Sequence, residues 1–343
     1  MVDIDTSIND TRERVTFKTM TFSGYKKTSV LKELTNSIIN GRVEESSNWT
    51  AELICSGYYI ELWDTIISIV CRNIHTFNPK LPIYITLQIT TFKEIVSNGY
   101  GDNILGMRNN STIRILFSNI ITVLCESIKK HTINSDIKIK KEDLDIKNIR
   151  DKLHAPDLNQ TECYHINDPK ELFVFANEFA YSLKENDLMM ACYWIEWVIS
   201  YSAKNIKIFP REWPDVGNSS KTDTIWLVWD IILEQVKARN DKLSTKIIES
   251  LLSMFCLKYT KGVIRRRKYT IYYAVSILTE IYDNKIPIIK DKDIVDNVAS
   301  KLHIIYKAIK KNENNPIDTG MSDKDKITAS TMKKITLLNK MIM

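Results

Sequence analysis

From Thr28 onward the chain places apolar residues at helical spacing: Val30, Leu31, Leu34 and Ile38 recur three and four positions apart. Gly41 follows as a C-cap that lets the chain reverse. The pattern predicts a first helix closing near Gly41. A second helix follows from about Val43 to Cys55, with Trp49, Leu53 and Ile54 on one stripe and Gly57 as its stop. Residues Met1 to Ser23 give no helical period and read as an extended or mobile arm, so the first boundary falls at 1–27. Between Pro82 and Ile95 the alternation of Ile, Tyr, Ile, Thr, Leu, Gln and Ile suits a strand as well as a helix, and the helical surroundings favour helix.

The opening phrase returns between Phe175 and Ile199. Ser37 answers Ser182, Gly41 answers Asn186, Val43 answers Leu188, Trp49 answers Trp194 and Ile54 answers Ile199, every pair 145 positions apart. Gly and Asn are the residues that most readily close a helix in the left-handed conformation, so the match has a physical reason. A second echo sets Leu62-Trp63-Asp64 against Val228-Trp229-Asp230 at an offset of 166. The difference is absorbed by a surface loop between Asn205 and Asp223, rich in Pro, Gly, Asn and Ser. A weaker third echo pairs Ile120-Ile121-Thr122 with Ile277-Leu278-Thr279.

The expected fold is therefore all-α, with two related multi-helix units from an internal duplication packed as a helical bundle array, and a C-terminal helical extension. The units span 28–132 and 168–284, joined by a charged linker, 133–167, holding a short helix around Glu142 to Leu153. An additional helix occupies 285–311, running from Asp291 to Lys310. The last stretch, 312–343, combines a flexible segment with a short basic amphipathic helix from Lys324 to Met343. Trp49, Trp63, Trp194 and Trp229 are the expected core anchors, with Gly41 and Asn186 as turn formers.

Composition sharpens this picture. Only 9 Gly and 8 Pro punctuate 343 residues, too few for a sandwich or barrel that needs frequent turns. An abundance of Ile, Lys and Asn suggests an AT-rich coding genome. The net charge of +6 is mild for this size and does not by itself compel a polyanionic partner. Six widely spaced cysteines without a C-x-x-C pair point to buried free thiols in a reducing compartment. The start of the chain has no signal-peptide core, and the strongest apolar segment, Ile113 to Cys125, is too short to span a bilayer. The expected location is intracellular, with no membrane span.

No phosphate-binding glycine loop, H-E-x-x-H or G-x-S-x-G motif occurs, and Gly99 with Gly101 lacks the rest of a dinucleotide site. Cys163, His165 and His154 carry zinc-preferring groups, but the C-x-H spacing matches no structural-zinc knuckle. His75, His131 and His303 stand singly and read as satisfied structural or surface residues. No metal, cofactor, small-molecule substrate or enzymatic activity is expected. Asp64 and Asp230, after the repeated tryptophans, read as equivalent helix-start or hydrogen-bonding positions rather than a catalytic pair. The strongest charge feature is Arg265-Arg266-Arg267-Lys268, preceded by Lys258 and Lys261 and interleaved with Tyr259, Tyr269, Tyr272 and Tyr273. Lys261, the three arginines, Lys268 and Tyr269 are the candidate nucleic-acid contacts, with cations for phosphates and a ring for bases. If the run opens a helix continuing to Tyr282, its cations face the positive end of the macrodipole, a cost that hints at a use. The plainer reading is a solvated helix start whose tyrosines pack inward. Clustering with Lys129, Lys130 and His131 on one face is the arrangement that would favour nucleic acid.

Several blocks also carry a resemblance: Phe22-Ser23-Gly24-Tyr25-Lys26-Lys27, Ser46 to Gly57, Asn78 to Tyr84, Asp168-Pro169-Lys170-Glu171 and Ala191 to Trp197. Over most of 20–240 the chain resembles a family, without an assigned activity, encoded by nucleocytoplasmic large DNA viruses of algae and protists. That resemblance implies a viral origin and a place in host cytoplasm, nucleus or virion, and carries over no site residue. Ser37 to Trp63 also resembles the helical collar domain of clamp-loader ATPases, which implies oligomerisation or clamp-associated scaffolding without hydrolysis. The leading expectation is a non-enzymatic scaffold or adaptor that binds protein partners through the surface between its halves and its C-terminal helix. The alternatives are a nucleic-acid-associated replication or transcription accessory protein and a minor virion component.

Overall fold

The computed structural model describes residues 5–101, 103–130, 137–204, 206–213 and 216–314. The chain is all-α. The helices are α1 (Lys27–Ile39), α2 (Val43–Cys55), α3 (Tyr59–Ile69), α4 (Leu81–Ser97), α5 (Ser111–Glu126), α6 (Lys170–Lys184), α7 (Leu188–Ser202), α8 (Ile225–Ala238), α9 (Lys242–Cys256), α10 (Val263–Arg266), α11 (Lys268–Thr279), α12 (Lys292–Ser300) and α13 (Leu302–Lys310). No strand forms among the described residues, only two isolated bridges. The ambiguous alternating segment is the helix α4. Pro82 sits in its first turn, where the missing N–H costs nothing, and Ile85 and Ile89 bury one face a helical turn apart.

The first turn of each half is the same device. After α1, Gly41 takes φ +68, its N–H reaches the Ile38 carbonyl, and Arg42 N–H reaches the Ser37 carbonyl at 2.9 Å. After α6, Asn186 takes φ +58 and Asp187 N–H reaches the Ser182 carbonyl at 2.8 Å. These bonds satisfy the last carbonyls of each helix and turn the next helix back along the first, so α2 lies against α1 and α7 against α6. Helix α3 then contacts α1 and α2, and α8 contacts α6 and α7. The two halves meet where α4 packs on α9 and where α11 reaches α3 and the turn that follows it.

Three of the four tryptophan anchors are buried: Trp63, Trp194 and Trp229. Trp197 stacks on Phe175 and Trp194 meets the same ring edge-on, while Trp63 packs with Phe92 and Phe117. Trp49 differs. It is half-buried near the surface, its ring edge-on to Tyr25 of the N-terminal arm, because the arm supplies only a partial cover there.

The remaining segments are tied down more than their sequence suggests. The arm is packed over its described part, since Ile8, Phe17 and Phe22 enter the core and Tyr58 donates to backbone carbonyls of Phe17 and Met20. The expected helix from Glu142 to Leu153 is instead three successive 3-10 turns, Glu142–Leu144, Ile146–Asn148 and Arg150–Lys152. Long-range bonds explain the difference, because Trp197 Nε1 donates to the Asp143 carbonyl and the Asp145 side chain caps the second turn. Further on, the buried Glu178 carboxylate accepts from the N–H groups of His154 and Ala155, so the connector runs along the second half. The single helix expected from Asp291 to Lys310 is broken at Lys301 into α12 and α13. Both fold back on the first half, α12 on α5 and α13 on α2 and α5, burying Val295, Leu302, Tyr306 and Ile309. The amphipathic segment Lys324 to Met343 lies outside the described residues, as does His131.

Because Gly41 carries a positive φ and an added Cβ would meet only the Cys125 carbonyl at 3.6 Å, an ordinary contact, Gly41→Ala is expected to cost about 1–2 kcal/mol through backbone strain. Asn186→Ala should cost more than Asn186→Gly. Urea midpoints at unchanged m-values check both.

Candidate functional site

The basic run does not open one helix. Arg265 and Arg266 end α10, Arg267 takes φ −106 and ψ 18 at the break, and Lys268 begins α11, which ends at Thr279. The break turns Arg267 inward and leaves the two arginines before it outward. Arg265 is exposed and Arg266 has 61% of its side-chain surface in solvent, whereas Arg267 retains 5%.

Arg267 is spent inside the protein. Its Nη1 donates to the carbonyls of Phe255 at 2.9 Å and Leu257 at 2.6 Å, with the Met254 carbonyl at 3.2 Å. Those oxygens belong to the C-terminal end of α9, the negative end of its dipole, so this cation stabilises the helix end it faces. On its other side, Nη2 and Nε donate to Asp64 Oδ1 of α3 at 2.6 and 3.2 Å. One guanidinium thus pins the first half to the second. Arg266 reaches the other oxygen of Asp64 at 3.2 Å, and Lys268 pairs with Glu196 of α7 at 2.6 Å. Tyr269 is half-buried and carries the exposed Arg72 over its ring at 5.0 Å, with the Lys268 ammonium 5.7 Å from the same ring. Lys261 and Lys258 are exposed on the loop before α10.

Lys129 and Lys130 do not join this group. Lys129 Nζ donates to the Leu124 and Ser127 carbonyls at the end of α5. Lys130 pairs with Glu280 at 3.1 Å, past the far end of α11 and roughly 18 Å along the helix from Lys268. A separate shallow depression of about 400 Å³ is lined by Lys237, Asn240, Lys242, Thr245, Lys246 and Glu249.

Asp230, like Asp64, meets arginine from outside its own helix, but one arginine where Asp64 has two. Asp64 and Asp230 lie inside α3 and α8 rather than at helix starts, and Arg211 Nε meets Asp230 Oδ2 at 2.8 Å. Arg211 also pairs with the buried Asp168 at 2.8 Å. Burial pushes the Asp230 carboxyl up to about 6 against the pull of Arg211, with Asp168 and Glu234 pushing the same way as burial. The zinc-preferring residues of the connector do not converge. His165 stacks on Phe209 at 3.9 Å and His154 Nε2 faces the Asp151 carbonyl. No group of three or more His, Cys, Asp or Glu among the described residues could hold a metal. Burial raises the thiols of Cys55, Cys71 and Cys163 to about 12. No helix among the described residues is long and apolar enough to cross a membrane.

The other end of the seam holds the least ordinary residue. Helix α3 continues into a π-helical turn, Val70–Ile74, and stops at His75, whose φ of +54 with ψ of −139 is strained for any side chain. Its ring is buried and stacked on Tyr273 of α11 at 4.4 Å, and neither ring nitrogen has a partner among the described residues. This departs from the expectation of a satisfied histidine. The Tyr273 hydroxyl donates to the His75 carbonyl at 2.7 Å, with the Asn78 carbonyl at 3.2 Å. Burial, reinforced by the Lys130 charge, lowers the imidazole to about 3. Neither Arg72 nor Arg211 belongs to a sequence motif, and only the pairing of distant segments reveals them.

No family model, curated protein or solved structure matches this chain.

Two outcomes follow from this geometry. Arg267→Ala leaves Asp64 and the α9 carbonyls facing a void and is expected to destabilise by about 3–5 kcal/mol, while Arg265→Ala stays within about 0.5 kcal/mol in the same denaturation assay. His75 is neutral when folded, and the unfolded imidazole takes up a proton below about pH 6.5. Between that pH and about 3 the unfolded state binds more protons, so this term is present above pH 6.5 and is lost as pH falls, at up to about 1.4 kcal/mol per unit. His75→Phe should flatten that acid limb in a pH series of melts.

Proposed function

We propose that the chain is a non-enzymatic helical adaptor that binds protein partners at the seam between its halves. The observation that carries this reading is a group of large apolar side chains exposed around the Lys130–Glu280 pair. Ile281, next to Glu280, is fully exposed, and Phe77, which has the Lys130 ammonium 5.9 Å from its ring, is exposed as well. Ile128 is exposed two residues before Lys130, and Ile289 follows Ile288, whose carbonyl accepts from Asn78. Contributions from both halves to one apolar patch are what a partner surface requires, because solvated patches of this kind are unfavourable unless covered. The fitting partner is a protein segment with an apolar face and a charge of either sign opposite the exposed ion pair.

Origin by internal duplication belongs to the same reading. Its support is that left-handed residues follow matching helices at two places, Gly41 and Asn186 at φ of 68 and 58, and His75 and Asn240 at φ of 54 and 51, whereas Gly57 after α2 has no such counterpart after α7 among the described residues. The viral source and the intracellular or virion location rest on the sequence blocks alone. A relation to clamp-loader collars rests on the stretch from Ser37 to Trp63 alone.

A photo-crosslinking residue at Phe77, introduced into the full chain in producing cells, tests the reading. A discrete adduct with another protein is expected, lost in Ile281→Asp while the melting temperature holds. An adduct indifferent to Ile281→Asp, or no adduct, overturns it.

A further inference from the structure

The outward half of the basic run meets a residue of the other half, and together they make a surface that neither half has alone. Arg72 leaves the π-helical turn after α3, is exposed, and lays its planar guanidinium 5.0 Å over the half-buried ring of Tyr269. Lys268 approaches the same ring at 5.7 Å. Arg265 and Arg266 end α10 directly before this stack, and Lys261 and Lys258 stand exposed on the loop leading to it.

Partners decide which of these charges are available. Arg267 and Lys268 are committed, the first to Asp64 and three carbonyls, the second to Glu196. Arg72 and Arg265 form no ion pair among the described residues. Arg266 shares Asp64 with Arg267, which holds that carboxylate more closely, 2.6 against 3.2 Å, so an exposed pair of this kind yields readily to a phosphate. A guanidinium and a tyrosine ring this close put a planar cation and an aromatic ring side by side, the two kinds of group on which an unpaired base stacks. Phosphates spaced along a flexible strand can reach Arg265, Arg266 and the exposed Lys258 while a base covers Arg72. A duplex hides its base faces and offers nothing to the stack.

We infer that Arg72, Tyr269, Arg265 and Arg266 form a composite binding surface for single-stranded nucleic acid across the two halves. The surface is distinct from the apolar seam patch, so protein binding there and strand binding here fail independently.

The test is fluorescence anisotropy of a labelled oligothymidine and of a matched duplex against the full chain over a salt series. Single-strand binding should weaken with salt at a logarithmic slope of about −2 to −3, as roughly three or four displaced counterions require. Arg72→Glu/Arg265→Glu is expected to lower affinity by about tenfold or more, and Tyr269→Leu to weaken the single strand but not the duplex. The control is Lys242→Glu/Lys246→Glu in the lysine-lined depression, which makes the same change in net charge elsewhere. Unchanged melting temperatures establish that each variant is folded. Equal loss in the control means attraction to net charge only and overturns the inference. So does a duplex bound as tightly as the single strand, or no binding at low salt.

Discussion

The arrangement of the two halves depends on what happens to the guanidinium of Arg267. A cation buried to this extent is tolerable only if its donors are used and its charge is balanced. Both conditions are met by groups that neither half could supply alone: the terminal carbonyls of α9 and the carboxylate of Asp64 in α3. The break between α10 and α11 follows from the same requirement, since a continuous helix would rotate Arg267 away from the α9 terminus. Once it is turned inward, Arg266 and Arg265 face outward by default, and α11 is aimed along the seam so that Tyr273 arrives over His75. The exposed cations and the strained histidine are thus two ends of one constraint.

How much could be read from the residues varied with the range of the interactions that shape them. Helix α2 was legible from Val43 to Cys55 because apolar spacing and glycine stops are local signals. The turns at Gly41 and Asn186 were legible for the same reason. The segment from Glu142 to Leu153 has helix-like charge spacing, yet its conformation is decided by the Trp197 indole and by Asp145, one of them distant in sequence. The basic run was misread as a uniform helix start because the partner of Arg267 lies 203 residues away and no local pattern announces it. His75 has no signature either. Its backbone strain arises from a π-helical turn, which periodicity analysis does not distinguish from an ordinary helix end.

Positions that echo one another in the sequence sit in different surroundings. Trp194 is deep in an aromatic cluster, while Trp49 rests against Tyr25 near the surface. Asp64 accepts an arginine from the opposite half, whereas Asp230 accepts Arg211 from its own and shares it with Asp168. Of these two carboxylates only Asp64 takes its arginines from across the seam, which is why the seam is built around Asp64 and not around Asp230.

The N-terminal arm and the end of α13 lie side by side: Thr11 bonds to the Asn314 carbonyl, Asn9 N–H to Glu313, and Arg12 to the Asn312 carbonyl. These bonds join positions 300 to 304 residues apart in sequence, so the arm and the return helices together close the chain on itself over the first half.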